Sequence, residues 1–365
     1  MKFIIQIIRF LVGITFVFSG FVKLVDPLGS MYKFQEYFGA DVLNLTFLDP
    51  YALEFSIILI LAELMLGVML LVGYKSKFTT YSLLLLISVF LFLTWYSAFY
   101  NKVTDCGCFG DAITLTTWET FYKNVVLIAL IFGLVLKHNL IKPLISAKIA
   151  QKLTIFSLLI SVSIVVYVLN YLPIIDFRPY AIGKNITEGM LVPDNAPKAV
   201  YKDTWTYKVN GENKKFTTEE KPWQIEGAVF VDRKTEVIEE GYTPPIHDFT
   251  MEIDGEDLSE QLLQEPKLLL VVMYNLDLSN AKGLGAIKEL TDKAKKDGYK
   301  VYAMSASTNE DFLKLKSAHN LNFDLLFCDE TTLKTMIRAN PGIIKLNQGT
   351  VVGKWSWRSA SKIIL

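Results

Sequence analysis

Cysteine is almost missing from this chain of 365 residues: there are three, so a disulfide framework is excluded and one pair at most can form. Histidine is as scarce. His138, His247 and His319 are far apart in sequence, so a metal set built on the cysteines would need further ligands. Net charge is absent, since 37 Lys and Arg balance 37 Asp and Glu, so no basic excess points to nucleic acid as a partner. There is no Walker sequence, no G-x-G-x-x-G behind a strand, no nucleophile elbow and no H-E-x-x-H. Charged residues are missing altogether from 78–101 and from 153–175.

Apolar residues fill that space. The composition is 52% hydrophobic, with a mean hydropathy of +0.33, and the excess is concentrated in residues 1–175. A membrane helix needs about 20 mostly apolar residues. Five stretches qualify: 3–22, 55–73, 78–101, 118–136 and 153–175. Arg9 interrupts the first and no small-residue cleavage site follows it, so the stretch reads as an uncleaved helix. Thr116 and Glu119 have capping-box spacing at the start of the fourth. Loops 74–77 and 137–152 carry Lys75, Lys77, Lys137, Lys142, Lys148 and Lys152 without an acid, which marks them as cytoplasmic. The alternate loops, 23–54 and 102–117, are acidic. The expected topology therefore has a cytoplasmic N-terminus, five spans and the C-terminal half outside. In a bacterium that means the inner membrane and the oxidising periplasm.

Ionisable groups at membrane depth are read as functional by default. Arg9 and Glu63 fall about 10 and about 15 Å from the cytoplasmic end of their spans, at 1.5 Å per residue. They are expected to pair between adjacent helices, either to fix helix register or as a polar site for a quinone head group or a proton path.

The second half reads as soluble. Alternating residues flank Asn210-Gly211, a hairpin signal. From His247, the sequence DFTMEIDGEDL suggests a strand, a turn and a short helix, and KLLLVVMYNL a fully buried strand. Helix, strand, helix and strand follow, then a helix and a terminal hairpin across Gln348-Gly349. That order is an α/β sandwich. With DFT before the first core strand and Asn340-Pro341-Gly342 before the penultimate one, it resembles the thioredoxin-like domains of the peroxiredoxin and TlpA type. The resemblance implies a cis peptide bond at Asn340-Pro341. Where that family places CxxC, this chain reads NLDLSNAKG, with Leu278 and Ala281 at the two cysteine positions. The domain is expected to bind or dock and not to perform dithiol chemistry.

Two of the three cysteines lie in TDCGCFGDA, residues 104–112, just before the fourth span. A thiolate is the reactive species, favoured near cations and helix N-termini, and Lys123 lies in the following helix, whereas Asp105 and Asp111 oppose it. Gly107 can supply the backbone angles of a small strained ring. A redox-active pair, a structural disulfide, a metal ligand set and inert thiols all remain open for Cys106 and Cys108. Cys328, at the end of the strand FDLLF, reads as a buried core cysteine or as an exchange partner for the loop.

CGCFG ahead of a Trp-led helix, SGFVKLVDP at 19–27 and ELMLGVMLLVG at 63–73 together resemble the MauE branch of the DoxX-like membrane proteins. The resemblance covers roughly residues 1–137. It implies a four-helix membrane protein concerned with disulfide formation in a periplasmic enzyme, with a quinone as candidate electron acceptor. The expected organisation is a four-helix membrane domain (1–140), a fifth helix with its connector (141–176), a small β-rich region (177–246) and the thioredoxin-like domain (247–365). The expected function is a thiol–disulfide relay to periplasmic thiol-bearing clients through Cys106 and Cys108. The alternative is a non-enzymatic scaffold in which that pair is a staple.

Overall fold

The computed structural model describes residues 2–103, 107–239 and 241–365. Its N-terminal half holds α1 (Lys2–Val25), α2 (Pro27–Phe38), α3 (Ala52–Val72), α4 (Ser76–Tyr100), α5 (Thr117–Leu136) and α6 (Ala147–Asn170). Among the described residues, five helices are long and apolar enough to cross a membrane, α2 not being one of them. The protein is accordingly a membrane protein. The capping box at α5 is formed: Thr116 Oγ1 accepts from the Glu119 N–H while Glu119 accepts from the Thr116 N–H.

The fifth span differs from its expected limits of 153–175. It starts at Ala147 because Ser146 caps it, accepting from the Ile149 N–H, and it ends at Asn170, short of Pro173. Proline cannot continue a helix interior.

Glycines set how α1 meets α3. A Cβ on Gly20 would lie 2.9 Å from the Leu64 backbone nitrogen, and one on Gly67 would lie 2.9 Å from that of Val17. Small residues let backbones approach this closely where lipid supplies no hydrophobic drive between helices. The contact fixes an antiparallel register in which residue 20 lies level with residue 64. Val12, Phe16, Leu70, Leu83, Ile87 and Ile131 fill the bundle core, while Leu24, Ile60 and Val165 join α1, α3 and α6.

The second half begins with α7 (Ile186–Met190) and a three-stranded sheet, β1 (Val200–Val209), β2 (Glu212–Thr217) and β3 (Val229–Glu239), ordered β2-β1-β3. The β1–β2 hairpin turns at Asn210 and Gly211, both at positive φ. The α/β unit follows: β4 (Glu252–Ile253), β5 (Glu256–Asp257), α8 (Ser259–Leu263), β6 (Leu268–Val272), α9 (Leu284–Lys296), β7 (Lys300–Ser305), α10 (Asn309–His319), β8 (Asp324–Phe327), α11 (Glu330–Met336), β9 (Gly342–Asn347) and β10 (Thr350–Ser356). The sheet order is β10-β9-β6-β7-β8-β4-β5, with β6, β7 and β8 parallel and β9 antiparallel to β6.

Leu268, Leu270 and Val272 pack into the core on one face of the sheet, and Leu269 and Val271 into the core on the other. An unbroken apolar run is what a strand buried on both faces requires. Tyr180, Ile186 and Ile246 belong to the first of those cores, so the chain leaving α6 is built into the α/β unit. The Asn340–Pro341 peptide bond is cis.

Candidate functional site

A cleft of about 710 Å³ separates the end of the bundle that carries α2 from the α/β unit. Its walls come from α1, α2, α3, α4, the loop 107–111, the connector 173–178, α11 and Arg338 just beyond it. Cys108 lines it, half-buried and with a free thiol. Cys106 lies outside the described residues.

The loop is shaped by its glycines. Gly107 and Gly110 have φ of +61° and +50°, a region that costs other residues a steric penalty. A Cβ on Gly107 would lie 3.2 Å from Lys33 Cγ in α2, and one on Gly110 would lie 3.1 Å from Val22 Cγ1 in α1. Phe109 packs against Phe18 and lies under the Lys123 ammonium, 4.3 Å from the ring centroid.

Beneath the loop runs a buried polar chain. Ser19 Oγ donates to the Cys108 carbonyl at 2.6 Å, and Lys23 Nζ donates to Ser19 at 3.0 Å and pairs with Glu63 at 2.7 Å. Lys23 and Glu63 are 7% and 2% exposed. The expected Arg9–Glu63 pair is therefore corrected: Glu63 belongs to Lys23. Arg9 instead donates from Nε to the Leu70 carbonyl (2.8 Å), from Nη2 to Leu71 (2.6 Å), and from Nη1 to Lys142 (3.0 Å) and to Gln6 Oε1 (2.9 Å). The cause is register. Counting both helices from a common plane puts Arg9 beside Glu63. The Gly20–Leu64 contact slides α1 so that Arg9 meets the last turn of α3, where carbonyls lack helical partners and the dipole is negative.

The opposite wall is clamped to α2. Asp26 caps that helix, accepting from the Gly29 N–H at 3.2 Å, and its carboxylate also takes Arg338 Nε at 3.0 and 2.9 Å. Arg338 is buried, which opposes its charge, but Asp26, Tyr32 and Asp111 outweigh this and raise its pKa. The Tyr32 ring lies 4.9 Å from Lys334 Nζ and 5.2 Å from Arg338 Cζ, and burial keeps its phenol neutral. Behind Arg338, Asn340 Nδ2 donates to the Asn275 carbonyl at 2.7 Å and Ser279 Oγ donates to Asn340 Oδ1 at 3.0 Å, tying the cis-proline loop to the segment after β6.

A third cluster anchors the connector. Asp176 takes Arg178 Nε at 2.7 Å and Lys354 Nζ at 2.6 Å. Burial would raise the Asp176 pKa, but Arg178 and Lys354 overcome it and the net shift is downward. Lys354 falls to about 8, chiefly through burial and then through repulsion from Arg178.

Cys328 is fully buried in the core of the α/β unit, and burial pushes its thiol up to about 12. It behaves as a small hydrophobe, away from the cleft. Among the described residues no His/Cys/Asp/Glu group has the makings of a metal site.

Ser19, Lys23, Asp26 and Arg338 were missed as site residues. Ser19 and Lys23 stand four apart, the spacing that puts two side chains on one helix face, and span one was cut at Val22. No local signal links Asp26 to Arg338.

Residues 1–137 match the family model of the methylamine utilisation protein MauE. The match takes in α1 to α5 with the CGCFG loop, Ser19, Lys23 and Glu63, and stops before α6. The membrane part is thus MauE-like, similar to a family linked by that description to methylamine utilisation. No curated protein and no solved structure matches the chain.

Proposed function

We propose that this MauE-like protein carries out thiol–disulfide exchange at the outer face of the bacterial inner membrane, with Cys106 and Cys108 as the exchanging pair. One observation carries the reading: a free, half-buried thiol in a glycine-shaped loop lines a cleft large enough for a ligand or a peptide segment. The α/β unit, which we read as thioredoxin-like, supports it. Its sheet order, the cis Asn340–Pro341 bond and the missing CxxC fit a docking module whose strand-end loops lie close to the membrane part. The acidic loops and the lysine-bearing loops at the opposite ends of the spans support placing it in the periplasm.

In the exchange, a client thiolate attacks the Cys106–Cys108 disulfide to give a mixed disulfide and one free thiol. The client's second thiolate then displaces the remaining sulfur. The client dithiol loses two electrons and two protons, and the loop gains them as two thiols. Regenerating the loop disulfide needs a two-electron, two-proton acceptor, chemistry that a membrane quinone would supply. Tyr32, Phe34, Tyr37 and Phe90 give the cleft aromatic walls, and Lys33 gives it a donor for a ring carbonyl, so these residues fit such a group.

The test labels intact cells with a membrane-impermeant maleimide, with and without prior reduction, in chains carrying Cys106→Ser or Cys108→Ser. Exchange predicts labelling from outside and mixed disulfides trapped by the single variants. If the pair stays oxidised throughout and replacing both cysteines by serine leaves client maturation intact, the pair is a staple and the chain a scaffold.

A further inference from the structure

We infer that Lys23, held by Glu63, is a positioning residue for the Cys108 thiol, acting through Ser19. The inference rests on Cys108 taking part in the proposed exchange, but its test reads that thiol directly.

The geometry is continuous. Glu63 fixes the Lys23 ammonium at 2.7 Å, the ammonium donates to Ser19 at 3.0 Å, and this leaves the serine hydroxyl proton for the Cys108 carbonyl at 2.6 Å. A serine hydroxyl has one donor and two acceptor sites. With Lys23 occupying an acceptor site, the hydroxyl is oriented toward the loop. The flanking Gly107 and Gly110, at positive φ, have more backbone conformations open to them than other residues have. A fixed carbonyl between two glycines is therefore what sets the direction of the Cys108 side chain.

The location fits. Lys23 and Cys108 both line the cleft, and a second cavity of about 20 Å³, lined by Ser19, Lys23, Glu63 and Cys108, lies beneath the loop. Stability does not account for the ion pair. Two charges removed from water cost more than their attraction commonly returns, and apolar replacement of such pairs is often neutral or stabilising. An ion pair at this position is better explained by what it holds in place.

That property supplies the test. The full chain, in detergent and carrying Cys106→Ser, leaves Cys108 as the reactive thiol, since Cys328 is buried with a raised pKa. Alkylation by N-ethylmaleimide is followed from pH 6 to 9. Ser19→Ala should change the Cys108 rate about five-fold, the factor that loss of one buried hydrogen bond represents. The apolar double variant Lys23→Met/Glu63→Leu should change it in the same direction while keeping the parent's thermal midpoint, and Ser19→Thr should restore the parental rate and pH profile. If the double variant alkylates at the parental rate, or Ser19→Thr behaves as Ser19→Ala, the inference is wrong. If the alkylation responds as expected but Cys108 never forms a mixed disulfide in cells, the exchange reading fails and the positioning role stands.

Discussion

Arg9 and Lys23 are two cations in one apolar helix, and the difference between them is what their surroundings can accept. Arg9 spreads its donors over the Leu70 and Leu71 carbonyls at the end of α3 and the Lys142 carbonyl in the loop before α6, and needs no acid. Lys23 has a compact ammonium and is matched to one carboxylate and one hydroxyl. The same logic gives a pH effect at Lys354. Its folded pKa of about 8 lies below the ordinary 10.5, so between those values the unfolded chain binds a proton that the folded chain has released. Stability then rises with pH through that window, at 2.303RT per pH unit for one proton. Removing the group should flatten the rise. Thermal midpoints of the full chain in detergent, read from pH 8 to 9.5, should climb for the parent and climb less for Lys354→Met. Equal slopes would show that Lys354 titrates normally. The Asp176 carboxylate has a slope of the same sign in the acid range, but its lowered pKa stabilises the fold: that stability is present above the ordinary carboxylate range and is lost as pH falls through its folded value.

At the level of elements, helix α1 was legible in the sequence and its register was not. Hydropathy finds a span because lipid demands a continuous apolar run, and it locates all five here. It says nothing about how far one helix slides along another, which is decided where Gly20 meets Leu64 and Gly67 meets Val17. That slide turned an expected Arg9–Glu63 pair into Lys23–Glu63. The α/β elements were legible because β6 is apolar at every position and the hairpin turns carry Asn-Gly and Gln-Gly. The amphipathic α2 was not, since its length and mixed composition resemble a loop. A Gly20→Val variant should separate α1 from α3 and cost about 1–3 kcal/mol, as overpacking does. It should also draw Lys23 away from Glu63. Gly133, which has nothing within 4 Å of a Cβ, is the control: Gly133→Ala should hold or raise the thermal midpoint, because alanine is favoured over glycine by about 1 kcal/mol in a helix. Equal losses from both would show that glycine flexibility, and not close approach, is what α1 requires.

For the whole molecule, the decisive contact joins residues 312 positions apart: Arg338 on Asp26. No sequence pattern reveals such a pair, because each member has a sufficient local reason to be there, Asp26 as the α2 cap and Arg338 at the end of α11. Together they hold the α/β unit over the cleft, with Tyr32 lying beside both Lys334 and Arg338. If this clamp sets how open the cleft is, breaking it should expose Cys108 without unfolding either part. Removing one partner of a buried pair leaves the other charge uncompensated, at a cost of about 3–5 kcal/mol. Arg338→Gln and Asp26→Asn should each raise hydrogen exchange in α2 and α11 and speed alkylation of Cys108, while the core strand β6 stays protected. The double variant should be no worse than the worse single one, since residues in contact are coupled and their effects do not add. Additive effects would mean that Arg338 and Asp26 act separately. Faster exchange in β6 as well would mean that the substitutions unfold the α/β unit instead of lifting it. With the clamp coupled and β6 protected, access to the thiol is set by how the two halves of the chain dock, and a client would have to bind where α2 and α11 now meet.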